Sequence, residues 1–253
     1  MSEIKQSRRF MHSPYFVDAM AGSDQEKQVP HPVHSHPIKG QRVELPFSES
    51  AVTNPSYPSL LDIRRSERAY SDASISQEQL SFLLWSAQGI QAFRGVDNHA
   101  TFRPAPSGGA RHPFELYFTV RAVDGLKPGL YRYMPLEYVG EKKVAIEFLG
   151  DFENHEERIS NMMSEQKWAG KAAVVLIFTC VPYRAEWRYN KASHRVMLID
   201  IGHVGQNVML SAAALGLGSC CIAAYNQELC DKELGVDGID EYTVYAVPVG
   251  VVK

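Results

Sequence analysis

One stretch limits the fold more than any other. Residues Arg195 to Leu217 are apolar nearly all round at helical spacing, through Val196, Met197, Leu198, Ile199, Ile201, Val204, Val208, Met209, Leu210 and Leu215. A helix without a polar stripe has to be buried, either in a large core or at a subunit interface. It also carries Asp200, His203, Gln206 and Asn207, which need partners wherever they are buried. A chain of 253 residues with 45% apolar and 22% charged residues can supply such a core, as one large domain or two modest ones. That composition excludes disorder across the whole chain. A formal charge of −3 gives no reason to expect nucleic acid or an anionic membrane as partner. No run of about 18 apolar residues occurs, and the first twenty residues lack the apolar region of a secretory signal, so a cytoplasmic protein is expected.

Composition shifts near Leu45. Residues 22–44 hold few large apolar side chains, and Pro30, Pro32 and Pro37 forbid a continuous helix. An extended N-terminal arm is expected over 1–45, with His31, His34 and His36 in a solvated loop, since no cysteine or carboxylate joins them at ligand spacing. From residue 46 to 253 the chain reads as one globular domain. Ser76 and Gln79 form a capping box, Leu80, Leu83, Leu84 and Ala87 share a helical face, and Gly89 ends the helix. Strands are expected at Glu115–Val120, Gly129–Tyr133, Val144–Phe148 and Tyr242–Val251. Another, Lys171–Thr179, is apolar without alternation, as a strand covered on both faces should be. Strands and helices mix without a strict βαβ repeat, which makes the class α+β.

The dinucleotide-binding glycine fingerprint, the P-loop, the hydrolase nucleophile elbow and the zincin helix motif are all missing. Three other stretches carry chemistry. Arg64, Arg65 and Arg68 surround Ser66; guanidiniums so close offer forked donors to phosphate oxygens, although a solvated basic turn explains the spacing equally well. Pro106, Ser107, Gly108 and Gly109 form a loop whose backbone can approach a flat ligand closely, or an ordinary turn before a strand. Around Ser219, Cys220, Cys221, Ile222 and Ala223, glycines close the long helix and bring backbone amides near the cysteines. Cys220 has apolar neighbours and no adjacent base, so packing is the better reading than a reactive thiol. Cys180, Cys220, Cys221 and Cys230 form no C-x-x-C pair and suggest neither a disulfide framework nor a metal site.

In this order, R-R-S-x-R-x-Y, the capped helix ending L-L-W-x-A-x-G-I, P-S-G-G-A-x-x-P, G-L-Y-x-Y and D-x-G-H-x-x-Q-N-x-x-L-x-A-x-x-L-G-L-G resemble the nitroreductase family of FMN-dependent oxidoreductases. The likeness runs over residues 58–250, and within the family it is nearest the streptolysin-S-type dehydrogenases that oxidise azoline rings. It implies a central, mostly antiparallel sheet flanked by helices, in an intertwined homodimer with FMN at the subunit interface. It further implies that Arg64, Arg65 and Ser66 hold the FMN phosphate and that Arg68 reaches the ring edge. Pro106 to Gly109 would come from the other subunit to lie beside the isoalloxazine, with Ser219 to Ala223 near N5. NAD(P)H would be the cosubstrate and a small electron-poor molecule the acceptor. Two departures stand out. The chain has only Lys253 where relatives carry a basic C-terminal tail, and it lacks the Lys-Tyr dipeptide that azoline oxidases use as base. No catalytic side chain is assigned. The second departure favours a general reductase over a dehydrogenase tailoring a peptide; a non-catalytic flavin carrier or sensor is the reading from another class.

Overall fold

The computed structural model describes residues 3–7 and 21–253; the rest of the expected arm, including residues 8–20, lies outside them. After the short helix α1 (Glu3–Ser7), the described helices are α2 (Tyr57–Ile63), α3 (Gln77–Gln88), α4 (His155–Met162), α5 (Tyr183–Tyr189), α6 (Ser193–Ala214) and α7 (Gln227–Leu234). The strands are β1 (Gln41–Leu45), β2 (Ala92–Arg94), β3 (Ala100–Phe102), β4 (Phe114–Val120), β5 (Gly129–Tyr133), β6 (Val144–Gly150), β7 (Val174–Cys180), β8 (Gly218–Ser219) and β9 (Tyr242–Gly250). Seven of them form one sheet in the order β1-β6-β5-β4-β7-β9-β8, each pair antiparallel; β2 and β3 form a separate hairpin. This is the α+β architecture expected.

Two apolar clusters lie on opposite faces of the sheet. Val174, Leu176 and Phe178 of β7 join Leu83 and Leu84 of α3 and Val204 and Val208 of α6. Val175 and Ile177 face the other way, onto Ile159 and Met162 of α4 and Leu234 of α7. Every residue of β7 is therefore buried, which is why its sequence does not alternate. The start of that strand differs from expectation, because Ala169–Lys171 wind into a single 3-10 turn first.

The capping box of α3 forms as expected: the Ser76 hydroxyl accepts from Gln79 N, and the Gln79 side chain accepts from Ser76 N. Gly89 ends the helix for a different reason than a left-handed cap. Its φ is −57°, and a Cβ there would sit 2.6 Å from the Trp85 ring. The left-handed cap belongs to α6, where Gly216 has φ +72° and Leu217 N closes back on Ala212 O at 2.8 Å.

The stretch 22–40 lies along the domain's own surface. Buried Glu115 on β4 accepts from Ser35 Oγ and His36 N, each at 2.8 Å, and from Arg184 Nη2. Glu147 on β6 accepts from Lys39 N, Gly40 N and Arg132. These two carboxylates draw the arm onto the sheet edge, where β1 pairs with β6. The solvated reading of the histidines is corrected accordingly. His34 is 8% exposed and its Nε2 bonds Asn98 O, His31 stacks on it at 5.0 Å, and His36 pairs with Glu241 at 2.7 Å. The carbonyls of Asp97 and Asn98, turned out by positive φ, are what the first two rings satisfy.

Candidate functional site

The C-terminus of α6 and the edge of the sheet frame a cleft. The Gly216 turn delivers the chain to β8, where Ser219 pairs with Val249 of β9 on one side and bridges Ser66 on the other. Glu67 N donates to Ser219 O at 3.0 Å. Beyond it, Tyr70 pairs with Val252, and Lys253 N donates to Ala69 O at 3.0 Å. The arginine segment thus runs between Ser219 and the last residues of the chain. Arg64, Arg65, Met209, Ala213, Gly216 and Ser219 help line a cleft of about 240 Å³.

The three guanidiniums here are held loosely. Arg64 caps α2 with its backbone, Arg65 Nη1 donates to Arg64 O, and Arg68 Nη1 donates to Ser66 O at 3.2 Å. Arg68 also stands over the Trp168 ring, 5.6 Å from its centroid. Among the described residues none of the three is in an ion pair with a carboxylate. Arginines left unpaired beside a cleft keep their forked donors available to an anion. Trp168 carried no signal in the sequence, because it reaches the site from the far side of the sheet.

Cys220 is buried, with its amide on Pro248 O at 3.3 Å, and Ile222 pairs with Ala246, while Ala223 is exposed. Cys221 is half-buried against Gly205 and Tyr245, and burial first of all pushes its thiol upward. A thiol held in that direction is less thiolate than a free one, which agrees with the packing reading.

The glycine loop is built in another way. Ser107 Oγ donates to Asp200 Oδ2 at 2.6 Å, and Gly108 N lies 3.1 and 3.0 Å from the two carboxylate oxygens. Ser107 Oγ also accepts from His112 N at 2.9 Å. Arg111 Nε donates to Gly109 O at 3.1 Å, and its guanidinium lies 5.0 Å from the Trp187 ring centre. Gly108 and Gly109 press on α5 and α6: added Cβ atoms would sit 2.4 Å from Val196 and 2.5 Å from Tyr189. Burial raises the Asp200 carboxyl, and burial with the Arg103 charge pushes His112 down to about 2. Asp200, flagged by its place in an apolar helix, finds its partners here; Asn207 finds Ser86 O at 3.2 Å.

The expected residues therefore fall into two groups. Arg64, Arg65, Ser66, Arg68, Ser219 and Lys253 come together at the C-terminal end of α6, and the chain after Ser219 runs back along the helix to Gly205, which Cys221 touches. Pro106 to Gly109 does not join them in the same chain. Asp200 and Ala213 are thirteen positions apart on α6, roughly 20 Å along its axis.

One long, largely apolar helix thus carries an arginine turn bonded to Ser219 near its end and a glycine loop clasped nearer its start. The nitroreductase family model matches residues 61–251, and the chain belongs to that family. It is 32% identical over 188 residues to the nitroreductase-named protein MJ1384 of Methanocaldococcus jannaschii, covering 74% of this chain and 86% of that one. Identity to the trifolitoxin-processing protein TfxB of Rhizobium leguminosarum bv. trifolii is 25%, covering 91% of this chain and 65% of TfxB. The fold superposes on a chain of the Escherichia coli microcin synthetase McbBCD complex with a TM-score of 0.60 at 21% identity, covering 99% of this chain and 91% of that one. The nearness to the streptolysin-S-type branch expected from the motifs is thereby borne out as well.

Proposed function

We propose that the chain is an FMN-dependent oxidoreductase that takes hydride from NAD(P)H and passes it to an electron-poor acceptor, such as a nitroaromatic, quinone or enone, in a ping-pong cycle. The observation that carries this reading is the pair of guanidiniums, Arg64 and Arg65, that line a cleft with Met209 and Ala213 and make no ion pair among the described residues, with Arg68 held beside them on Ser66 O. FMN fits that donor set: a phosphate between the arginines and Ser66, with Ile63, Met209 and Ala213 as apolar lining and Glu67 as the one carboxylate among the lining residues. When bound, FMN supplies hydride acceptance and donation at its N5 position. The chain's own residues bind and orient. Arg64, Arg65 and Ser66 take the phosphate, Arg68 sets positive charge toward the ring, and Lys253, anchored beside Ala69, adds charge where relatives have a basic tail.

The separation of the two residue groups along α6 favours a homodimer in which one copy's glycine loop meets the other copy's arginines. The uncovered side of α6 supports this. Leu198 and Ile199 are 52% and 50% exposed, beside exposed His203 and Gln206, on a helix otherwise apolar. Four free thiols suit a reducing cytoplasm; among the described residues no helix is long and apolar enough to cross a membrane.

The test is direct. Purified protein should carry, or take up on reconstitution, a flavin with FMN absorbance that NADH or NADPH bleaches under argon. Absence of flavin under both conditions refutes the reading. Flavin that stays oxidised with both donors identifies a carrier or sensor instead. The likeness to TfxB over 91% of the chain favours one further reading, a dehydrogenase that tailors a peptide alongside partner proteins. Brisk nitroarene reduction by the isolated chain counts against it.

A further inference from the structure

Two costs converge on six residues that belong to neither apolar cluster. Between Ser107 and His112, Gly109, Ala110 and His112 all have positive φ, at 58°, 54° and 43°. Glycine adopts this conformation freely; for Ala110 and His112 it is strained. The second cost is Asp200. The residue is 4% exposed, and among the described residues no basic side chain pairs with its carboxylate. Its carboxylate accepts hydrogen bonds from the Ser107 hydroxyl and the Gly108 amide, and among the described residues the only charged side chain acting on it is His203. His203, one turn further along α6, is exposed, and Arg111 is committed to the carbonyls of Gly109 and His99. A turn that needed only to pack would be more stable with an uncharged residue at 200.

Strain that persists does so because its surroundings over-determine it, and such positions serve geometry at the expense of stability. Here the surroundings are explicit. The Ser107 hydroxyl relays between Asp200 and His112 N, Arg111 ties Gly109 O to His99 O, and the His112 ring bonds Thr101 O at 3.0 Å. Both ends of the loop are pinned, and Asp200 is the pin seated on α6, the helix that also floors the arginine cleft.

We infer that Asp200 is a positioning residue: its carboxylate holds the strained 107–112 loop in the conformation that presents the Gly108–Gly109 backbone to a flavin ring bound by a second copy's arginines. This rests on the FMN reading above. An asparagine cannot substitute fully. With its oxygen in the place of Oδ2 it accepts from Ser107 and Gly108, but its amide N–H then replaces the oxygen 3.1 Å from Gly108 N and meets that N–H donor to donor.

The experiment uses the full chain with FMN, comparing Asp200→Asn, Ser107→Ala and Ser107→Thr with wild type. Four quantities are read: FMN affinity, thermal midpoint, amide exchange at Gly108 and Ala110, and the rate of flavin reduction by NAD(P)H in stopped flow. Asp200→Asn and Ser107→Ala should bind FMN within about threefold of wild type yet reduce it roughly tenfold to a hundredfold more slowly, with faster exchange at Gly108. Ser107→Thr, which keeps the hydroxyl, should restore both the exchange and the rate. Should Asp200→Asn fail to fold, Ser107→Ala and its threonine rescue carry the test. Faster exchange with a reduction rate within about twofold of wild type would show a structural role only and overturn the assignment. A wild-type chain that takes up no FMN overturns the flavin reading and this assignment together, whereas one that reduces FMN regardless of Asp200 overturns the assignment alone.

Discussion

The arginine turn at 64–68 and the glycine loop at 107–112 both lean on α6, one near its C-terminus and one nearer its start. The turn has ordinary backbone angles; its guanidiniums are exposed or half-buried and make no ion pair among the described residues. The loop is half-buried or buried, holds three positive φ values in four residues, and has hydrogen bonds at both ends. Among the described residues the turn spends only one side-chain bond each from Arg65 and Arg68, both on neighbouring carbonyls, and leaves forked donors for an incoming anion. The loop spends its Ser107 hydroxyl, its Gly108, Ala110, Arg111 and His112 amides and the Arg111 side chain on the protein, as a surface meant to hold still must. One region is built for affinity and the other for geometry.

Breaking the turn should have the largest effect. Arg64→Ala with Arg68→Ala is expected to weaken FMN binding by at least about a hundredfold, since charge-assisted hydrogen bonds, here to the phosphate and to the ring edge, are each worth roughly 1.5–3 kcal/mol; fluorescence titration measures it, and unchanged affinity would remove both assignments. Breaking the loop should instead cost stability. Gly109→Ala places a Cβ at positive φ and 2.5 Å from the Tyr189 hydroxyl, for an expected loss of about 1–3 kcal/mol read in urea melts, with FMN affinity little altered.

Acid should separate the two regions more gently. Burial lowers His34 to about 4 from 6.5, so below pH 6.5 the unfolded chain takes up a proton that the folded chain refuses. Stability therefore declines as pH falls from 6.5 toward 4. His34 and His31 hold the Asn98 and Asp97 carbonyls next to His99, which Arg111 engages. Amide protection in the 107–112 loop, corrected for the intrinsic pH dependence of exchange, should accordingly fall on acidification before that of the 64–70 segment, and His34→Gln should remove the His34 share of the pH dependence while leaving that of His112 and His155. The smallest effect belongs to Cys221→Ser. With the thiol pushed upward by burial, flavin reduction should stay within about twofold of wild type, and iodoacetamide should label Cys221 more slowly than a free thiol at pH 7.5.

Much of this was legible in the chain. Strict local patterns announced α3 with its capping box, the doubly covered β7 and the long α6, because periodicity and capping act within a few residues of sequence. The order of motifs from Arg64 to Gly218 carried the family. The arm at 22–45 was misread in one respect: nothing local in a Pro-His stretch tells that Glu115 and Glu147, 80 and 108 positions from the groups they bind, wait on the sheet. Trp168 beneath Arg68 was invisible for the same reason.

The long apolar helix shows where that division falls. The sequence alone determined that α6 must be covered nearly all round and that Asp200 within it needs partners, because both follow from burying a known set of side chains. Only the tertiary structure decided that Asp200 would close on Ser107 and Gly108 while Met209 and Ala213 line the arginine cleft. It also decided that the Leu198–Ile199 side would be left uncovered in a single chain. Which partner meets which face depends on contacts across a hundred residues and more, and no short-range rule of spacing encodes that.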